Sequence, residues 1–164
     1  MSEVLGVDYS YGRPGGAALA AAGKRYAARY LEYNHAPNDG KFIHPPEVAD
    51  LHNHGIAIVA NFESTATRAL GGRNAGIQDG YDALVSLGAL NAPVDLPVYF
   101  SIDFDALLAH QPIINAYLSG AGSVLGLARI GVYGGLGVVS RCKANRTASW
   151  FWQAAGWGGS PRCF

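Results

Sequence analysis

Short apolar runs alternate along the chain with stretches of helical periodicity. Val4–Asp8 is the first apolar run, and the alanine-rich Gly15–Lys24 after it reads as a helix. Tyr26–Glu32 reads as a second strand. Tyr33–His44 is polar and carries Asn, Asp, Gly and Pro, which marks a loop. Pro45-Pro46-Glu47 opens a helix with proline suited to the first turn, Gly55 closes it, and Ile56–Phe62 is the third strand. Within Gly76–Leu90, Ile77, Tyr81, Leu84 and Leu87 recur at helical spacing and predict the buried stripe of a third helix. Val98–Asp103, Arg129–Tyr133 and Ser149–Ala154 complete the strands, with helices expected over Ile113–Leu125 and Leu136–Lys143.

Strands separated by helices demand a parallel sheet, because parallel neighbours need long crossovers. No linker interrupts the pattern, so residues 1–164 read as one domain. A doubly wound open sheet and a barrel that stops short both fit this order. The fourth strand favours the barrel. Val98, Phe100, Ile102 and Phe104 share one apolar face, whereas Tyr99, Ser101, Asp103 and Asp105 share the other. An open α/β sheet buries both faces under helices and leaves no place for a polar one. The expected fold is therefore α/β of the (β/α) TIM-barrel type, apparently incomplete, with about six of the eight units of that barrel. An unclosed sheet would leave edges on its first and last strands, and predicts either a larger parent protein or oligomerisation.

Composition narrows the partners. Hydrophobic residues make up 49% of the 164 and charged residues 15%, a globular balance. Twelve Lys and Arg against twelve Asp and Glu leave no basic field for nucleic acid or an anionic membrane. No apolar run approaches the roughly 18 residues of a membrane span. Met1 leads almost directly into the first strand with no leader pattern, so a site of action in the cytoplasm, after removal of a leader, or by another export route all stay open. Cys142 and Cys163 fit no zinc pattern, and ordinary thiols are expected over a disulfide.

The chemistry gathers at one rim. Asp8, Asp103 and Asp105 fall at the C-terminal ends of the first and fourth strands, where parallel α/β folds bind ligands. Asn61 and Glu63 end the third strand, Tyr33 follows the second, and Tyr133 ends the fifth. Paired carboxyls suit glycoside cleavage: one donates a proton to the leaving oxygen and the other stabilises the oxocarbenium-like transition state or activates water. Arg29, inside the second strand, needs an anionic partner if it faces inward, and Asp8 or Asp103 could serve. Asp105 also suits a helix N-cap. Trp157, beyond the last strand, is a candidate for sugar stacking. His52 and His54 close a helix at the opposite rim, so no metal site is expected from them. Gly134–Gly137 lacks a dinucleotide fingerprint and reads as a tight turn, so no cofactor is expected.

Taken in order, Gly6-Val7-Asp8-Tyr9, Ala28-Arg29-Tyr30-Leu31, the stretch from Tyr99 to Asp105, and Ile130-Gly131-Val132-Tyr133-Gly134 resemble the glycoside-hydrolase-like barrel family of actinobacteria and their phages, long labelled a domain of unknown function. That family is distantly similar to the family-25 lysozymes, which cut peptidoglycan. The resemblance covers nearly all of the chain. It implies that Asp8 matches the aspartate ending strand one and Asp103 the aspartate of an Asp-x-Glu pair. It also places Asp105 where the glutamate acid would stand, one methylene shorter. The implied function is a glycoside hydrolase-like domain acting on peptidoglycan or a related cell-wall polysaccharide. In it Asp105 would be the acid, Asp103 and Asp8 would stabilise charge or orient substrate, and Tyr33, Asn61, Glu63, Tyr133 and Trp157 would shape the groove. A non-catalytic glycan-binding or phage or envelope structural domain on the same scaffold is the alternative. The site of action it implies is the cell envelope or the exterior.

Overall fold

The apolar runs become strands and the periodic stretches helices, in the order the sequence sets. The structure, a computed structural model, describes residues 3–33 and 40–155. Among these, strands β1 (Gly6–Asp8), β2 (Tyr26–Tyr30), β3 (Ala57–Phe62), β4 (Val98–Ile102), β5 (Ile130–Gly134) and β6 (Trp150–Gln153) alternate with helices α1 (Gly16–Ala21), α2 (Pro45–Asn53), α3 (Gly72–Ala89), α4 (Gln111–Leu125) and α5 (Leu136–Asn145). The six strands form one sheet in sequential order, and every pairing is parallel. A doubly wound sheet would reverse its strand order at a switch point. Sequential order is the progression of a barrel, so the fold is an incomplete barrel of the TIM type, a half-barrel flanked by helices. In the described sheet β1 and β6 are the two end strands.

The two faces of the sheet differ as the alternation in β4 predicts. Val98, Phe100 and Ile102 point outward and are fully buried, with Ala60, Phe62, Ile130 and Val132 from the neighbouring strands. Leu51, Ile114, Leu118 and Leu125 cover them from the helices. The inner face is polar and aromatic. Ser101 donates a hydrogen bond to the Asn61 side-chain Oδ1 at 3.0 Å, and Trp152 meets Tyr99 and Tyr133 edge-on at 5.8 and 4.8 Å.

Helix α3 departs from its expected stripe. It begins at Gly72, about one turn before Gly76, after a short 3₁₀ turn at Arg68–Gly71. Tyr81 and Leu84 are exposed. The buried face is instead made of small residues, Ala75, Gly76, Gly80 and Ala83, together with Asp79 and Leu87. Close approach to α4 explains the difference, because small side chains let two helix backbones meet and large apolar ones would hold them apart. Asp79 completes this layer. Arg68 donates to both of its carboxylate oxygens, at 3.0 Å from Nε, and the Tyr117 hydroxyl donates to it at 2.8 Å.

Arg29 has a different partner from the expected one. It is fully buried on the outer face of β2, and its guanidinium forms a forked pair with Glu47 of α2, at 2.7 and 3.2 Å. It also donates to the Tyr9 carbonyl and lies 4.2 Å over the Tyr9 ring. Tyr9 and Arg13 add donors to Glu47, each at 2.8 Å. Burial works against ionising Glu47. The hydrogen bonds from Arg29 and Tyr9, with the Arg29 charge, outweigh it and hold the carboxyl below its ordinary value.

Candidate functional site

Three strand ends bring carboxyl groups to one rim. Asp8 is the last residue of β1, Glu63 follows Phe62 at the end of β3, and Asp103 follows Ile102 at the end of β4. Their fields reach one another: the charges of Asp103 and Asp8 raise Glu63, and that of Asp103 raises Asp8. Tyr133 of β5 feels all three carboxylates, and with burial they push its hydroxyl upward. Among the described residues, no three His, Cys, Asp or Glu side chains are arranged to hold a metal ion.

Each carboxyl has its own surroundings. Asp8 keeps a side open to solvent, yet partial burial of its carboxyl, with the charge of Asp103, pushes it up. A hydrogen bond from the Tyr30 hydroxyl and the charges of Arg29 and Lys41 draw it partly back. Tyr30 is buried at the end of β2, and burial with the Asp8 and Glu63 charges keeps its hydroxyl protonated far above neutral pH. Glu63 is raised chiefly by burial, against the opposing pull of Lys41. A carboxyl raised by burial and by like charges keeps its proton to higher pH than a free one, which suits it to donate that proton.

Lys41 was not among the residues that strand ends single out. It lies on the segment entering α2. Phe42 forms a parallel bridge to Tyr30, and Ile43 N–H donates to the Tyr30 carbonyl at 2.9 Å, which pins the segment beside β2. The Lys41 ammonium sits 3.7 Å from Glu63 Oε1 and 4.5 Å over the Tyr30 ring. The only trace in the sequence is the pair Phe42-Ile43, two apolar residues closing a polar stretch.

The other expected residues divide. Tyr33 is half-buried at the rim, with its ring edge on Phe42 at 5.1 Å and its hydroxyl donating to the Ser64 carbonyl at 3.4 Å. Asn61 is buried beneath the rim and engaged by Ser101. Asp105 is exposed on the loop after β4, because the pleat that aligned it with Asp103 ends at Ile102. It lines a small recess with Phe104 and Gly135–Gly137 at the start of α5. It caps no helix: the next turn starts from Leu107. Gly134–Gly137 makes the turn from β5 into α5, as expected. Arg29, on the outer face, borders a cavity of about 370 Å3 between α2 and α3, with Leu31, Val48, His52 and Leu87. Cys142 is buried. Trp157 and Cys163 lie outside the described residues.

No helix among the described residues is long and apolar enough to cross a membrane. No curated protein matches the chain at the sequence level. Among solved structures, the Tat-secreted protein Rv2525c of Mycobacterium tuberculosis, in complex with HEPES, superposes with a TM-score of 0.84 at 30% identity, over 96% of this chain and 80% of that one. The same protein in complex with L-tartrate agrees at 31% identity and a TM-score of 0.84, over 96% and 79%. The autolysin LytC from Streptococcus pneumoniae, in complex with a synthetic peptidoglycan ligand, shares the fold at 12% identity and a TM-score of 0.50, over 79% of this chain and 31% of that one. Residues 17–162 match the family described as "Rv2525c-like, glycoside hydrolase-like domain". With that match spanning nearly the whole chain, and with the half-barrel and its acidic rim in place, the protein belongs to the Rv2525c-like glycoside hydrolase-like domain family.

Proposed function

We propose that the domain cleaves glycosidic bonds of peptidoglycan or a related cell-wall glycan by acid/base carboxylate chemistry, outside the cytoplasm. The observation that carries this reading is the meeting of Asp8, Glu63 and Asp103, from three different strands, at the C-terminal rim. Secretion of Rv2525c and the peptidoglycan ligand of LytC agree with it in location and substrate class.

In this reading Glu63 donates the proton to the leaving oxygen. Its carboxyl is raised by burial and by two like charges, the condition of a proton donor. Asp103 and Asp8, the latter oriented by Tyr30, stabilise the positive charge that grows on the sugar ring as the bond to the leaving oxygen breaks, and a water then adds to that carbon and gives up its proton to a rim carboxylate. The acid role passes from Asp105 to Glu63 because Asp105 stands on an exposed loop past the end of β4, whereas Glu63 stands at the rim with Asp8 and Asp103. Asp105 then contacts the substrate at the groove's outer edge. Tyr33, Tyr133 and Trp157 give sugar rings aromatic surface, while Asn61 supports the rim from below and Arg29 supports it from the outer face.

The test is release of reducing ends from purified actinobacterial peptidoglycan. Glu63→Gln and Asp103→Asn are each expected to reduce release by about 100-fold or more, and Asp105→Asn by less than about tenfold. Release should also fall as pH rises through the titration of Glu63, since the acid must be protonated. Full loss in Asp105→Asn with activity kept in Glu63→Gln would return the acid role to Asp105. A folded wild type that co-sediments with the wall and releases nothing would make the protein a glycan-binding domain on the same scaffold.

A further inference from the structure

Three carboxyls on one rim repel one another, and the rim must contain something that lets them stay. Among the described residues, Lys41 is the cation that pairs directly with one of them, Glu63. Lys41 reaches Glu63 at two points: the ammonium lies 3.7 Å from Oε1 and donates to the Glu63 backbone carbonyl at 3.1 Å. It also rests 4.5 Å over the ring of Tyr30, the residue whose hydroxyl holds Asp8. Its side chain is 13% exposed and that of Glu63 18%, so little water screens the pair.

The placement is held by the fold. The bridge from Phe42 to Tyr30 fixes the backbone next to Lys41. Gly40 precedes it, and a Cβ there would lie 2.7 Å from the Tyr11 ring, so the approach suits glycine. A long lysine delivered by a pinned backbone loses less freedom on meeting its partners than one on an open loop.

We propose that Lys41 is the positioning residue of the acidic rim: it holds Glu63 toward Asp8 and Asp103 and supplies the charge that lets the three carboxyls work together. The proposal rests on the reading of the rim as a catalytic centre, and it is open to a test that needs no glycan. The groups facing Glu63 are Asp8 from β1, Tyr30 and Tyr33 from β2 and the residues after it, Asp103 from β4's end, Tyr133 from β5, and Lys41 itself. Of these only Lys41 is a cation. Burial, Asp8 and Asp103 all favour the protonated Glu63, and Lys41 opposes them.

The experiment is a carbon-13 carboxyl NMR titration of the full chain as wild type, Lys41→Gln and Lys41→Arg. Gln keeps a polar N–H donor but lacks the charge. Glu63 is expected to titrate about one pH unit higher in Lys41→Gln, with a smaller upward move at Asp8, and Lys41→Arg should restore both. In a hydrolysing wild type, the alkaline limb of the pH profile moves up by the same amount in Lys41→Gln. Unchanged titrations in Lys41→Gln would overturn the proposal, as would loss of its cooperative fold, which would make Lys41 a residue of the scaffold. Shifted titrations beside a wild type that releases no sugar would support the role of Lys41 while removing the hydrolytic reading.

Discussion

Glu47→Ala is expected to cost about 3–5 kcal/mol of folding stability, a large share of the roughly 5–15 kcal/mol that holds a typical domain. Truncation leaves the fully buried guanidinium of Arg29 without the carboxylate that takes two of its N–H groups. Tyr9 and Arg13 lose an acceptor in the same step. A buried charge stripped of its partner cannot recover its hydration, so the loss exceeds what the pair contributes when intact. The double variant Arg29→Met/Glu47→Leu should recover most of the loss, because it removes the charge along with its partner. Urea unfolding of the three chains decides the matter. A single-variant loss below about 1 kcal/mol would place this cluster with ordinary surface pairs.

The same carboxyl carries a pH signature. Its folded pKa lies below the unfolded one, so it contributes stability above the ordinary glutamate range of about 4.3. That contribution is lost as pH falls through the lower, folded value. Acid unfolding of the wild type should therefore be steeper below that range than acid unfolding of Glu47→Ala.

The contact between α3 and α4 should be equally sensitive. A Cβ on Gly76 would lie 1.9 Å from the Tyr117 carbonyl oxygen, and one on Gly120 would lie 2.2 Å from the Arg73 carbonyl oxygen. Both obstacles are backbone atoms, so no rotamer change relieves them. Gly76→Ala and Gly120→Ala are each expected to cost about 3 kcal/mol, even though alanine is intrinsically the better helix former. Forcing the helices apart also strains the bond from Tyr117 to Asp79 and the Arg68 fork behind it. Gly88 lies in the same helix with nothing within 4 Å of its Cβ. Gly88→Ala should thus raise stability by about 0.5–1 kcal/mol. Thermal unfolding in which all three variants behave alike would refute close backbone approach as the basis of this interface.

Much of the acidic rim was legible before any coordinates. Asp8 and Asp103 end strands that apolar runs mark plainly, and Glu63 stands one residue past another such run. In a parallel sheet, strand ends point the same way, so residues distant in sequence meet at one rim. Asp105 shows where that logic stops: alternation places a side chain only while the strand lasts, and β4 ends at Ile102.

By itself, then, the sequence determined the order of strands and helices, the parallel sheet, and the polar inner face of β4. All of these follow from local periodicity and from the geometry of crossovers. The tertiary structure alone decided which partner each charge takes. Arg29 turned outward to Glu47, Lys41 came to Glu63, and the large apolar residues of α3 yielded its buried face to glycines and alanines. Partner choice depends on distances between segments far apart in the chain. A pattern read along one segment carries the period of its own backbone and nothing about how closely another backbone will approach.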